Sequence, residues 1–244
     1  MGKVIAMIPA RYAASRFPAK LMQMLGDKTV IRHTYDNTVA TGIFDEVWVV
    51  TDSDIIYQEI ASNGGNVKMS IKEHECGSDR IAEAITDMDI DVVLNVQGDT
   101  PFVDARALRE LVDQFKDPAV QVASLMQKLT QKEDIENPNF VKVVVDLKNN
   151  SLLFSRSVIP YHRNKEITPV YHKHIGVYAF RKDILMQFST WPLTPLEDAE
   201  KIECIRYLEH GVQLRMVLVD YNGVEIDVPD DLTRANEYLK SLTK

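Results

Sequence analysis

Three cations fall within ten residues directly behind the first apolar run: Arg11, Arg16 and Lys20 in Pro9-Ala10-Arg11-Tyr12-Ala13-Ala14-Ser15-Arg16-Phe17-Pro18-Ala19-Lys20. Small neighbours let backbone N–H groups approach an anion, so the loop suits a phosphate cradle; a solvated basic loop is the other reading. Two acidic clusters follow much later. Asn95-Val96-Gln97-Gly98-Asp99-Thr100-Pro101 places Asp99 behind an apolar run and a glycine, where a carboxylate can ligate a hard cation such as Mg²⁺, with Gln97 available to a base or sugar. The same string is also a good turn. In Glu225-Ile226-Asp227-Val228-Pro229-Asp230-Asp231, Asp227 is either a helix cap or a second carboxylate for the same cation.

Other chemistry is poorly supported. His172 and His174 share a strand face but lack a third metal ligand, so hydrogen bonding to an anionic or sugar group suits them better. Ser15, Ser78 and Ser155 sit in no GxSxG-like elbow. GxxxxGK[ST] and GxGxxG are both missing, which argues against a Walker loop and a dehydrogenase fingerprint. Cys76 and Cys204 lie far apart without CxxC or Cys/His spacing, which excludes a signalled zinc site or disulfide framework.

These clusters need a scaffold that brings them to one edge. Val4–Ile8, Val47–Val50 and Val92–Val96 are apolar runs without polar alternation, the pattern of strands covered on both faces. Between them, Val30–Thr41 stopping at Gly42, Asp54–Asn63 stopping at Gly64-Gly65, and Ser78–Asp87 with a serine N-cap read as crossover helices. Leu108, Leu111, Val112 and Phe115 continue the pattern behind Asp104 as a cap. In such βα repeats, ligands bind beyond the carboxyl ends of the strands, where the basic loop and Asp99 fall.

The second half reads differently. Val120–Met126, Val141–Asp146, Leu152–Arg156 and Ile175–Phe180 are strand candidates, the middle pair joined by a Lys148-Asn149-Asn150 turn, which implies antiparallel pairing. Thr194-Pro195-Leu196-Glu197 predicts a capping box opening a helix that runs to Gly211. A last strand over about Val224–Ile226 and a last helix over Asp230–Lys240 complete an α/β chain.

Composition agrees with an average globular protein. The 244 residues carry 45% hydrophobic and 26% charged residues, and the net charge of −8 argues against non-specific binding to duplex DNA. The charge is unevenly spread: the first 26 residues hold Lys3, Arg11, Arg16 and Lys20 and no acid, which leaves −12 to the rest. A small anionic ligand is the better match. The Val4–Ala10 run is too short for a secretory h-region, no stretch of 18 apolar residues exists, and a cytoplasmic protein without membrane insertion is the expectation.

Seven motifs in this order resemble the 3-deoxy-manno-octulosonate cytidylyltransferase (CMP-Kdo synthetase) family: Ile8-Pro9-Ala10-Arg11-Tyr12, Ser15-Arg16-Phe17-Pro18 with Lys20, Gly77-Ser78-Asp79-Arg80, Asn95-Val96-Gln97-Gly98-Asp99, Phe154-Ser155-Arg156-Ser157-Val158-Ile159-Pro160, His174-Ile175-Gly176-Val177-Tyr178 and Ile226-Asp227-Val228-Pro229-Asp230-Asp231-Leu232. Singly they are weak; together they span about residues 4 to 240. The resemblance implies a nucleotide-diphospho-sugar transferase-like (Rossmann-like) α/β fold, a mixed sheet with an embedded antiparallel subdomain. It implies one domain over 1–244, with about 1–125 mainly nucleotide-binding, about 126–220 for sugar binding and dimerisation, and 221–244 returning to the core. The implied reaction transfers CMP from CTP to the sugar Kdo, with Mg²⁺, in a homodimer serving lipopolysaccharide synthesis.

Residue by residue, the resemblance assigns Arg11 and Lys20 to the triphosphate. Pro9, Ala10, Gly77, Ser78, Arg80 and Gln97 go to the nucleotide, and Asp99 and Asp227 to the metal. Arg156, His174, Tyr178 and Glu203 go to the sugar. Arg11, Lys20, Asp99 and Asp227 form the expected catalytic set. Four positions depart from the family: Thr100 replaces a common glutamate, Ala19 a glycine, Val228 a threonine and Cys204 a glutamine. A relative acting on another acidic sugar, such as 8-amino-Kdo or a nonulosonate, keeps the same loop and aspartates. A non-catalytic nucleotide-binding relative is the alternative from a different class.

Overall fold

The computed structural model describes residues 2–13, 17–72, 74, 76–220 and 225–242. The chain divides into two compact units, Met1–Leu108 with Asn222–Lys244, and Arg109–Tyr221.

In the first unit, β1 (Val4–Ala10) is followed by a short hairpin, β2 (Met24–Leu25) and β3 (Lys28–Thr29), then α1 (Val30–Ala40), β4 (Glu46–Thr51), α2 (Asp54–Ala61), β5 (Val67–Met69), α3 (Gly77–Ile85) and β6 (Val92–Asn95). Helix α4 (Ala105–Asp113) crosses the first boundary between the units. Strand β1 pairs in parallel with β4 on one side and β6 on the other, and β5 extends the sheet beyond β4. Ile5, Ala6, Met7 and Ile8 are wholly buried, as expected of a strand covered on both faces. Ala10 stands opposite Thr51 and Met7 opposite Asn95, so the segments that leave β1, β4 and β6 emerge along one edge. Asp104 caps α4 as its sequence predicts, accepting N–H bonds from Arg106 and Ala107 at 3.0 Å each.

The second unit holds β7 (Val122–Leu129), α5 (Lys132–Glu136), β8 (Lys142–Val145), β9 (Ser151–Ser155), β10 (Tyr171–Arg181), α6 (Lys182–Phe188), α7 (Pro195–Glu200), α8 (Ile205–Glu209) and β11 (Leu214–Leu218). Strand β7 pairs in parallel with β11 and antiparallel with β10; β10 continues antiparallel to β8, and β8 to β9. The β8–β9 turn forms where expected, with Asn149 left-handed at φ 61° and Asp146 accepting the Lys148 and Asn150 N–H groups at 2.8 Å. Lys142 opens β8 fully buried, and its ammonium donates to the carbonyls of Asn137 (3.0 Å), Phe140 (2.6 Å) and Arg156 (2.6 Å). The final helix, α9 (Pro229–Leu242), belongs to the first unit.

Three expectations need correction. The helix predicted from Thr194 to Gly211 is two helices, because Lys201 takes a left-handed conformation (φ 52°, ψ 48°) that ends α7. Buried Arg206 on α8 reaches back to Glu197 on α7 through two bonds of 2.6 Å, so an ion pair fixes the break. The N-cap of α3 lies two residues earlier than predicted: Cys76, not Ser78, is the N-cap, and Ser78 is buried inside the first turn. No strand forms at Ile226; its N–H instead donates to the Asp99 carbonyl at 3.0 Å, and Val224 lies outside the described residues.

Candidate active site

The basic loop, Asp99 and Asp227 all belong to the first unit, and they meet at one atom. The Lys20 ammonium donates to Asp99 Oδ2 in a short bond and to Asp227 Oδ1 at 3.1 Å. Backbone brings the partners together. Lys20 opens a 3₁₀ turn, Lys20–Met22, behind Ala19. Asp99 follows Gly98, where a Cβ would lie a tight 3.1 Å from the Pro9 carbonyl, so a side chain there would push the loop after β6 back from the end of β1 by a few tenths of an ångström. The Ile226–Asp99 backbone bond then places the segment before α9 beside the same loop.

Electrostatics strengthen the cluster. Burial works against a charge on Lys20, but Asp99 and then Asp227 outweigh it and hold the ammonium above the usual lysine range. Two carboxylates sharing one cation is the donor set Mg²⁺ commonly uses, since that ion takes one or two carboxylates and completes its shell with phosphate and water oxygens. Among the described residues no group of three His, Cys, Asp or Glu side chains gathers elsewhere to hold a metal.

A residue other than Asp227 closes the helix. Asp231, inside the first turn of α9, accepts the N–H groups of Asp227 (2.8 Å) and Val228 (2.9 Å). Burial raises the Asp231 pKa, but those two N–H bonds and Arg234 more than reverse it and hold the carboxyl below its usual range. This replaces the hydroxyl cap that Val228 cannot supply, and the sequence signal for it was the Asp230-Asp231 pair.

The remaining nucleotide candidates surround the same edge in different ways. Pro9 and Ala10 end β1. Arg11 is exposed, and its guanidinium donates to the His74 carbonyl. The loop that carries His74 is clasped by Glu83 of α3, which accepts from Ile71 N–H at 2.7 Å and contacts His74 Nε2 at 3.1 Å. Ser15 and Arg16 lie outside the described residues. Gly77 opens α3 with its Cα against Pro9 and Asn95. Arg80 is buried and ties α3 to the strand ends, bonding Asp52 at 2.5 Å and Ser70 at 2.8 Å. Gln97 is half-buried directly after β6, and its carbonyl accepts the Thr100 N–H at 3.2 Å. Thr100 is buried, so no carboxylate stands at that position.

Ala19 stands where the resemblance implies a glycine. It adopts φ 51°, ψ 32°, the left-handed region that costs a residue with a Cβ about 1 kcal/mol or more.

The residues expected to face a sugar lie in the second unit. The Arg156 guanidinium is occupied by main-chain carbonyls, those of Glu200 (2.8 Å), Pro138 (3.0 Å) and Lys201 (3.4 Å), while its N–H donates to Glu200. His174 is buried against the Ser124 hydroxyl at 3.0 Å, and burial, with Lys173, pushes its pKa down to about 3, so its ring is neutral. Tyr178 lies beside His174 with ring centroids 5.4 Å apart and the rings tilted by 57°, and it hydrogen-bonds Cys204. Burial raises both the phenol and the thiol, which keeps the pair uncharged. Glu203 precedes Cys204 and is half-buried. Glu200, which sequence reasoning passed over, holds Ser155 at 2.6 Å and the Arg156 backbone at 2.9 Å.

Known proteins resemble this chain in sequence and fold. A family model described as cytidylyltransferase matches residues 5–226. The 3-deoxy-manno-octulosonate cytidylyltransferase of Flavobacterium johnsoniae is 54% identical over 98% of this chain and 100% of its own length, and that of Christiangramia forsetii is 52% identical over 97% of each. A solved CMP:2-keto-3-deoxy-manno-octonic acid synthetase complexed with CTP superposes with a TM-score of 0.94 at 35% identity, covering 98% of this chain and 99% of that one. The 4-diphosphocytidyl-2C-methyl-D-erythritol synthase of Anaerococcus prevotii, at 16% identity and a TM-score of 0.63, shares the fold. With an α/β fold, a lysine held between two aspartates and full-length relatives above half identity, the chain belongs to the 3-deoxy-manno-octulosonate cytidylyltransferase family.

Proposed function

We propose that the chain transfers CMP from CTP to the anomeric C2 hydroxyl of Kdo, releasing pyrophosphate and supplying CMP-Kdo for lipopolysaccharide synthesis. The observation that carries this reading is the convergence of Lys20, Asp99 and Asp227 at one edge of a parallel sheet, in a chain of this family. In the reaction the C2 oxygen bonds to the α-phosphorus while the bond from that phosphorus to the pyrophosphate oxygen breaks. Both nucleophile and target are surrounded by negative charge, so the demand on the protein is charge neutralisation and alignment. Lys20 and Arg11 supply cations to the triphosphate. Asp99 and Asp227 hold Mg²⁺, which polarises the phosphoryl oxygens when bound. Pro9, Ala10, Gly77, Ser78, Arg80 and Gln97 shape the nucleotide side.

In the same proposal, Arg156, His174, Tyr178 and Glu203 form the sugar side. Their geometry supports a division of labour: His174 and Tyr178 present neutral hydrogen-bonding groups, and Arg156 orders the chain around residues 138 and 200. The nucleotide role of about 1–125, the sugar and dimerisation role of about 126–220, a homodimer and a cytoplasmic location belong to this reading as well. Among the described residues no helix is long and apolar enough to cross a membrane. The test is pyrophosphate release from CTP with Kdo, 8-amino-Kdo and a sialic acid as acceptors. Turnover with Kdo is expected to dominate; turnover confined to another sugar would overturn the assignment.

A further inference from the structure

We infer that Lys20 is the resident cation of the Asp99–Asp227 pair, and that a divalent metal takes the pair only in exchange for it, when the nucleotide's phosphates draw the ammonium away. This rests on the reading of Asp99 and Asp227 as metal ligands. The observation is the position of one atom: Lys20 Nζ bonds Asp99 Oδ2 and Asp227 Oδ1, carboxylates from two separate segments that backbone bonding has already set side by side. Asp99 and Lys20 are both largely screened from water, their side chains 23% and 17% exposed, so their attraction is not dissipated as at an open surface.

Charge decides the rest. The ammonium cancels half of the negative charge that the two carboxylates would offer a metal alone. A divalent ion arriving beside the ammonium meets like charge at contact distance and must compete for oxygens already engaged. A triphosphate changes both conditions. It offers Lys20 a denser anionic partner, and the four-carbon lysine stem with its rotatable donors can change partners without a change of backbone. The phosphates also bring their own oxygens to the metal. Metal and nucleotide therefore load together, and neither aspartate faces its neighbour uncompensated at any stage. Arginine at position 20 keeps the charge and keeps the block; a neutral side chain removes it.

The test is Mn²⁺ binding in the absence of nucleotide, read by the electron paramagnetic resonance of the free ion. Wild type and Lys20→Arg are expected to bind weakly, Lys20→Met at least tenfold more tightly, and Lys20→Met combined with Asp227→Asn weakly again. Equal Mn²⁺ affinity in wild type and a folded Lys20→Met variant overturns the inference. If Lys20→Met does not fold, the ¹⁵N-labelled Lys20 ammonium of the wild type is followed instead. Its resonance is expected to move with CTP alone and to stay fixed with Mg²⁺ alone, and a move with Mg²⁺ alone overturns the inference. CTP binding by the wild type in the presence of Mg²⁺ separates the two levels. Its persistence with unchanged Mn²⁺ affinities sinks this inference only, whereas its absence sinks the nucleotide reading too.

Discussion

Asp99 carries two duties that can be measured separately: its side chain faces Lys20, while its carbonyl receives Ile226. Asp99→Asn removes charge and leaves the backbone bond, so kcat is expected to fall by about 10² or more, the scale of losing a charge-stabilising group, with little change in melting temperature. Steady-state rates beside a thermal melt check both halves. His174 offers a pH prediction. Its pKa in the folded protein is about 3, against about 6.5 unfolded, so only the unfolded chain takes up the proton between those values. Stability referable to His174 is complete above pH 6.5 and declines as pH falls toward 3, by up to about 1.4 kcal/mol per pH unit. Urea melts of wild type against His174→Asn should diverge over that window and run parallel above it. Lys20, Asp99 and Asp227 could be picked out as candidates in the sequence because Lys20 and Asp99 follow apolar runs that read as parallel strands, beside structural readings as a solvated loop, a turn and a helix cap. Their direct contact was not legible, since a lysine pointing at a carboxylate and one pointing at solvent read alike. Arg156 shows the opposite case: an arginine in a motif looks free, and only folding reveals main-chain carbonyls around it.

Elements set how well those residues are held. Helix α9 begins without a hydroxyl cap, and Asp231 closes it from within by taking the N–H groups of Asp227 and Val228. Asp231→Ala should cost about 1–2 kcal/mol, the usual loss for a helix cap, and should weaken catalysis because Asp227 loses its backbone anchor. Chemical denaturation and the apparent Mg²⁺ requirement would report the two effects, and unaffected Mg²⁺ dependence would refute the link to Asp227. Strand runs such as Val4–Ala10 and Val92–Asn95 were easy to read because burial on both faces removes polar alternation. The break between α7 and α8 was hidden, since Lys201 is neither glycine nor asparagine and nothing in its neighbours announces a left-handed turn.

At the scale of the molecule, the boundary at Leu108 and Arg109 falls inside α4, so no Pro, Gly or Ser linker marks it. The second unit exposes large apolar side chains around the β8–β9 hairpin, including Leu147, Leu152 and Leu153. Such a cluster suits contact with a second copy of the chain. Replacing Leu147 and Leu153 with Asp is expected to shift a dimer toward monomer in sedimentation velocity; a wild type that already sediments as a monomer defeats the homodimer proposal. The uneven charge seen at the outset also resolves at this scale. Of the four cations in the acid-free first segment, Lys3 pairs with Glu46 and Lys20 with the two aspartates.

Lys142 has a consequence for which substitutions the chain can accept. Three carbonyls from three directions surround one tetrahedral ammonium, a shape that the flat guanidinium fork cannot reproduce. The change usually counted as mildest, Lys142→Arg, keeps the charge and loses the fit. The position demands shape as well as charge, so Lys142→Arg should lower the melting temperature in a thermal melt although the charge is kept.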